Sequence, residues 1–301
     1  MSVDSVEASE PYPKLPLADT IGLSYSTYFQ HFIDALRASW LWMAMVATIT
    51  GVVSWHQWSW FGTAMAELKP GAPPALNHMS YPADFAALTG LDDILLTLAG
   101  VSIAVAWHRL LILGERPGFS GSNVATRDLW RYIGMGLAIG LMVMLPIVAI
   151  IFPAFYFILP LQHAAPGSPP AALFLLIPLF FVLYFVGIAV VLRLILLLPA
   201  RAAGDLSLTF RQTWNRTRGN TWRLFWGLLA TTVPPLLLAE IAFMLIGLPK
   251  PTTILGEDFA RRMTATSTIF VVYYLLMLPV GIGFLSHAYR HFVRAQPNPA
   301  A

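Results

Sequence analysis

Glu240 is the residue with the most chemistry to offer. It stands inside the apolar run TTVPPLLLAEIAFMLIG. A charge within a bilayer costs roughly 2.5–3.5 kcal/mol on insertion scales, so Glu240 is expected to face a bundle interior and to have a partner there. His56, in SWHQWSW, lies at a similar depth in its own apolar run. An acid and an imidazole at one depth could exchange a proton or hold a small cation. The competing reading is a protonated or hydrogen-bonded Glu240 that pins two helices together. Pro234 and Pro235, five residues earlier, would kink the helix and could bare its backbone to a cavity, although proline is common in membrane helices generally.

Other titratable groups have quieter readings. Asp92 and Asp93 would point about 100° apart on a helix, a poor chelating pair. Thr89-x-x-Asp92 instead fits a capping box at a helix start. His108, His287 and His291 have no carboxylate or histidine at metal-ligand spacing and are expected to snorkel at an interface. There is no cysteine, hence no disulfide, thiolate metal site or cysteine nucleophile. No phosphate loop, HExxH or GxSxG occurs. The residues therefore imply no enzyme, no metal and no cofactor. Asn215-Arg216-Thr217 matches a glycosylation acceptor by chance, on the wrong side of the membrane.

The basic residues form the second group of candidates. Of 18 Lys and Arg, all but Lys14, Lys69 and Lys250 are Arg. The net charge is only +3 and the arginines flank apolar runs, so a nucleic-acid partner is not indicated. Arg109 and Arg193 lie just inside the ends of their runs and can snorkel to headgroups. With Arg201, Arg211, Arg218 and Arg223 they make a basic collar, and anionic lipid attracts each such residue by about 1 kcal/mol. The collar reads either as a set of lipid-headgroup contacts or as the charge bias that topology alone requires.

The elements that must position these groups are membrane helices. Of 301 residues, 57% are hydrophobic and 11% charged, where soluble domains carry about 25% charged residues. The apolar runs suit a bilayer, which takes roughly 20 residues to cross. Spans are expected at about 38–62, 91–113, 132–159, 171–198, 222–248 and 268–286. Trp55, Trp58 and Trp60 close the first as an aromatic belt. Gly136 and Gly140 offer the third a close-packing face, Gly281 and Gly283 do so for the sixth, and Pro160 falls just past the third span's end.

Between the spans, residues 20–37 read as an amphipathic interfacial helix with Tyr25, Tyr28, Phe29, Phe32, Ile33 and Leu36 on one face. Residues 206–218 read as a second, with Asp205 as N-cap and Gly219 past its end; Leu208 breaks its pattern. Residues 1–19, acidic and proline-bearing, and 295–301 are expected to be disordered, with mobility from His287 onward. With the N-terminus inside, 14 of the 18 basic residues fall on inner segments and four on outer ones. Both termini are therefore expected in the cytoplasm. The first apolar run has no basic leader, so it reads as a retained helix.

A shift of 84 residues places Arg109 on Arg193 and Trp130 on Trp214; a shift of 182 places Phe32 on Trp214 and Trp40 on Trp222. A surface helix plus two spans, repeated three times in parallel, is one reading. The other is that any inner-membrane hairpin ends in arginine and aromatics.

Trp107-His108-Arg109, Leu198-Pro199-Ala200-Arg201 and the run Thr217–Arg223, TRGNTWR, resemble segments of uncharacterised polytopic inner-membrane proteins of bacteria. The layout over 20–294 is distantly similar to the membrane domain attached to some glycerophosphodiester phosphodiesterases. That catalytic domain has no counterpart here, so the resemblance implies a bacterial inner-membrane location and no activity. The chain is thus expected to be an all-α, six-span bundle with interfacial helices. It would be a non-enzymatic protein that organises membrane lipids or a membrane-protein partner. The alternative is a small-solute or ion permease built around Glu240.

Overall fold

The structure, a computed structural model, describes residues 14–67, 83–118, 126–164, 171–247 and 257–294. The expected disorder of 1–13 and 295–301 lies outside them. The architecture is all-α, with no strand among the described residues, and six helices are long and apolar enough to cross a membrane. This suits a bilayer, where a helix satisfies every backbone polar group within itself. The helices are α1 (Leu17–Gln30), α2 (Phe32–Glu67), α3 (Ala83–Leu113), α4 (Thr126–Ala164), α5 (Ala171–Leu194), α6 (Leu197–Ala202), α7 (Phe210–Arg216), α8 (Thr221–Gly247) and α9 (Glu257–Tyr289), the last continued by a π-helical turn, Arg290–Arg294.

α2 and α9 run antiparallel along their length. Ala35 and Val280 share one cluster at one end, and the rings of Trp58 and Phe259 meet at 5.7 Å at the other. We call the first end basal and the second distal. The basal end holds the best-packed core. Leu15, Leu194, Leu196, Leu197, Leu224 and Phe284 are completely buried there. A second cluster gathers Tyr28, Trp107 and Val280 beside it, and a third, around Met43, Ile103 and Leu275, continues between α2, α3 and α9.

Small polar residues make this packing affordable. The hydroxyls of Thr20, Ser24, Ser39, Thr231 and Ser286 each donate to the carbonyl four residues earlier on their own helix. A satisfied hydroxyl on a slim side chain lets helices approach closely. Gly227 has Phe284 against it, and a Cβ there would stand 1.9 Å from the ring. Gly283 faces Trp107 and the Ser24 backbone, the packing role expected of it. Gly136 and Gly140 do not play theirs: among the described residues a Cβ at Gly140 would meet no atom within 4 Å, and one at Gly136 only a Leu198 methyl at 4.0 Å.

Several boundaries depart from the sequence reading. The helix expected over 20–37 breaks at His31, and Phe32 opens α2. Its apolar face divides: Tyr28 is fully buried, with Thr20 and Ser24, against α9, while Phe29 and Ile33 point outward at 69% and 58% exposure. α1 therefore packs into the bundle, not flat on an interface with its aromatics down. Leu15, in the stretch expected to be disordered, is buried, and its amide donates to Asn220 Oδ1 at 2.9 Å. α4 continues through Pro160, α9 begins at Glu257, and Phe292, expected to be mobile, is buried. α7 starts at Phe210 with Thr209, not Asp205, as N-cap, and Thr209 and Gln212 form a capping box. Gly219 does take the left-handed conformation, at φ 76°. Leu208 is buried because it plugs the basal core.

Candidate functional site

Three places deserve a functional reading: the outward acid Glu240, the basal arginines, and the gap between α3 and α4.

Glu240 and His56 are both exposed, and neither side chain has a hydrogen bond or ion pair among the described residues. The expectation that Glu240 faces the bundle with a partner is not met, because Ala239 takes the buried position next to it. α8 and α9 do enclose a cavity of about 190 Å3 near the proline pair. Thr231, Pro235, Tyr274 and Gly281 line it, and Glu240 does not. The proline pair, inside the continuous helix α8, serves packing instead. Pro234 has no amide for the Ala230 carbonyl, and the Tyr25 hydroxyl of α1 donates to that oxygen at 2.9 Å. Tyr273 donates to the Pro235 carbonyl at 2.7 Å.

The six arginines of the collar separate into two kinds. Arg109 is held by Asp128 at 2.8 Å, by Glu115 at 2.7 Å and by the Ala202 carbonyl at 3.2 Å. Arg193 lies 3.8 Å over the Trp214 ring and donates to the Trp214 carbonyl at 2.8 Å. Arg201 clasps the carbonyls of Asp205 and Leu208, and Arg223 that of Leu15. These four bind the protein's own acceptors, because helix ends leave carbonyls unpaired. Arg211 and Arg218 alone are exposed with side chains unpartnered among the described residues. Asp205 completes the basal cap. It accepts from the Ser207 amide and hydroxyl and, at 2.8 Å, from Tyr289. Burial disfavours its charge, but these hydrogen bonds and the Leu208 amide outweigh burial and hold its carboxyl below the ordinary carboxylate range.

His108 does not snorkel. It is completely buried, with Nδ1 2.8 Å from Ser286 Oγ. Since Ser286 donates to Ile282, the consistent tautomer has Nδ1–H donating to Ser286. His287 lies 3.3 Å from Thr27 Oγ1.

Sequence reasoning misplaced Asp92 and Asp93 at a helix start. α3 begins at Ala83, so Thr89 and Asp92 lie inside the helix and form no capping box. Thr50 Oγ1 of α2 donates to Asp92 at 2.8 Å, and Thr89 Oγ1 is buried without a partner among the described residues. Asp93 stands at the rim of a groove of about 450 Å3 between α3 and α4, floored by Leu98, Val101, Gly136 and Leu198 and edged by Trp130. Gly136 lines this groove, and the absence of a side chain there leaves its space open. The missing signal was the helix start, which sets the depth of both acids.

Neither a known protein family, nor a curated protein, nor a solved structure matches the chain.

Proposed function

We propose that this multi-pass membrane protein is a non-enzymatic organiser of membrane lipids or of a membrane-protein partner. The observation that carries the reading is the contrast between its helices. Half of the α3 spanning window is buried (50%), but only 11% of that of α4. Along the distal part of the α4–α5 hairpin, Leu145, Phe152, Phe181, Val182 and Phe185 are all more than half exposed. A locked basal cap thus carries a hairpin whose apolar sides are offered to the membrane plane, and contiguous apolar surface of this kind suits lipid or another membrane helix.

The same reading puts the basal end on the cytoplasmic face of a bacterial inner membrane. The positive-inside bias supports that orientation, and the resemblance of TRGNTWR and its neighbours supports that membrane. A permease at Glu240 would need the carboxylate turned inward, and the exposed side chain gives that alternative no support.

Gentle purification from native membranes, followed by mass spectrometry of everything retained, tests the proposal. A stoichiometric protein partner or an enriched lipid class is expected. Retention of a small solute instead, lost on Glu240→Gln, would overturn it in favour of a permease.

A further inference from the structure

The groove between α3 and α4 is asymmetric along its length. On α4, Arg127, Trp130, Ile133 and Leu137 recur at helical spacing and share one stripe. Read from the basal end, that stripe presents a cation, then an indole, then aliphatic carbon. Ile94, Leu98 and Val101 face it from α3. Arg127 is exposed and has no partner among the described residues. Arg131, one turn further, spends part of its charge on Asp128 at 3.3 Å. Asp93 stands at the opposite end.

We propose that this groove binds one acyl chain of an anionic phospholipid from the basal leaflet, with the headgroup phosphate held by Arg127 and Arg131. Three features select that occupant. The walls are carbon and the groove lies between two spanning helices, so its mouth opens onto hydrocarbon. The exposed Arg127 guanidinium, one turn basal of Trp130 on the same stripe, can meet a phosphate at that end of the groove through two parallel N–H donors. The Asp93 carboxylate repels a phosphate, so the headgroup belongs at the arginine end and the chain runs towards Asp93. Trp130, 65% exposed, marks the interface level between the two, as indoles do. These arginines lie outside the collar, most of which is occupied by the protein itself. The assignment rests on the organising role above and narrows it to lipid at one place.

The test uses the full chain in phosphatidylcholine vesicles doped with a photoreactive acyl-chain probe, either phosphatidylglycerol or phosphatidylcholine, with labelled residues mapped by mass spectrometry. The expected result is phosphatidylglycerol labelling on Ile94, Leu98 or Leu137, displaced by unlabelled phosphatidylglycerol. Arg127→Gln should reduce it about fivefold, in line with the attraction of one basic residue for anionic lipid. Gly136→Leu, whose Cβ would meet only a Leu198 methyl at 4.0 Å among the described residues and whose side chain would extend into the groove that Gly136 lines, should abolish it by filling the groove while leaving the elution profile unchanged. Equal labelling by both probes, or groove labelling indifferent to both substitutions, would overturn the proposal. So would a partner helix cross-linked in the groove in native membranes. An unlabelled groove in a protein that still retains a lipid or partner elsewhere removes this site alone and leaves the organising role standing.

Discussion

The Tyr25 hydroxyl donates to the Ala230 carbonyl at 2.9 Å, the oxygen that Pro234 leaves without an amide. A defect in α8 is thereby the docking point for α1. A neutral hydrogen bond of this kind contributes about 0.5–1.5 kcal/mol net. Tyr25→Phe is expected to lower thermal stability in detergent by that much. In Pro234→Ala the backbone amide returns to Ala230, so Tyr25→Phe should cost less in that background. Equal costs in both backgrounds would show that the two residues are not coupled.

The contact between Gly227 and Phe284 should be the least tolerant of added volume. A Cβ at Gly227 would overlap the ring, and overpacking costs about 1–3 kcal/mol. Gly227→Ala is expected to lower the melting temperature, and Gly140→Ala, with nothing near its Cβ among the described residues, to leave it unchanged. A reversed order would show that Gly140 lies in the tight interface after all.

Arg109 and Arg211 should separate clearly although both belong to the basic collar. Arg109→Gln strips Asp128 of its closest partner at a site where the arginine is only 18% exposed. A loss of about 1–3 kcal/mol is expected, the cost of removing charge-assisted hydrogen bonds from a half-buried carboxylate that keeps only Arg131, at 3.3 Å. Arg211→Gln removes no contact among the described residues and should stay within about 0.5 kcal/mol. Unfolding midpoints of the two variants, measured side by side, decide it.

The basal cap should loosen in acid. The Asp205 carboxyl titrates below its ordinary value, so its hydrogen bonds to Ser207 and Tyr289 stabilise the fold above the usual carboxylate value of about 3.9. That stability is lost as pH falls through the lower folded-state value. Asp205→Asn should flatten this acid limb of the stability profile. Hydrogen exchange at Ser207 and Leu208 as pH is lowered provides the readout, and an unchanged limb in the variant would assign it to other carboxylates.

Glu240→Gln should alter neither stability nor lipid retention, since the side chain is exposed and unpartnered among the described residues. Thr50→Val, which removes the donor to Asp92, should cost about 0.5–1.5 kcal/mol. A larger loss from Glu240→Gln than from Thr50→Val, by thermal unfolding, would restore Glu240 as the central intramembrane acid.

Composition and the lengths of the apolar runs by themselves determined six spanning helices and their order. A bilayer admits few alternatives to a helix for a run of that length. The left-handed Gly219 was legible too, because helices commonly end on a glycine in that conformation. Depth and facing were decided only by tertiary structure. Helix starts at Ala83 and Glu257 lie in sequence too polar to read as span, and that offset turned Asp92 from a cap into an acid inside the bundle. Glu240 and Ala239 differ by about 100° on one helix, and apolar residues surround both, so no periodicity told which would face out. The arginines were read as a single collar because sequence shows charge but not acceptors. Only folding brought Ala202, Trp214 and Leu15 to Arg109, Arg193 and Arg223, and left Arg127 beside an open groove.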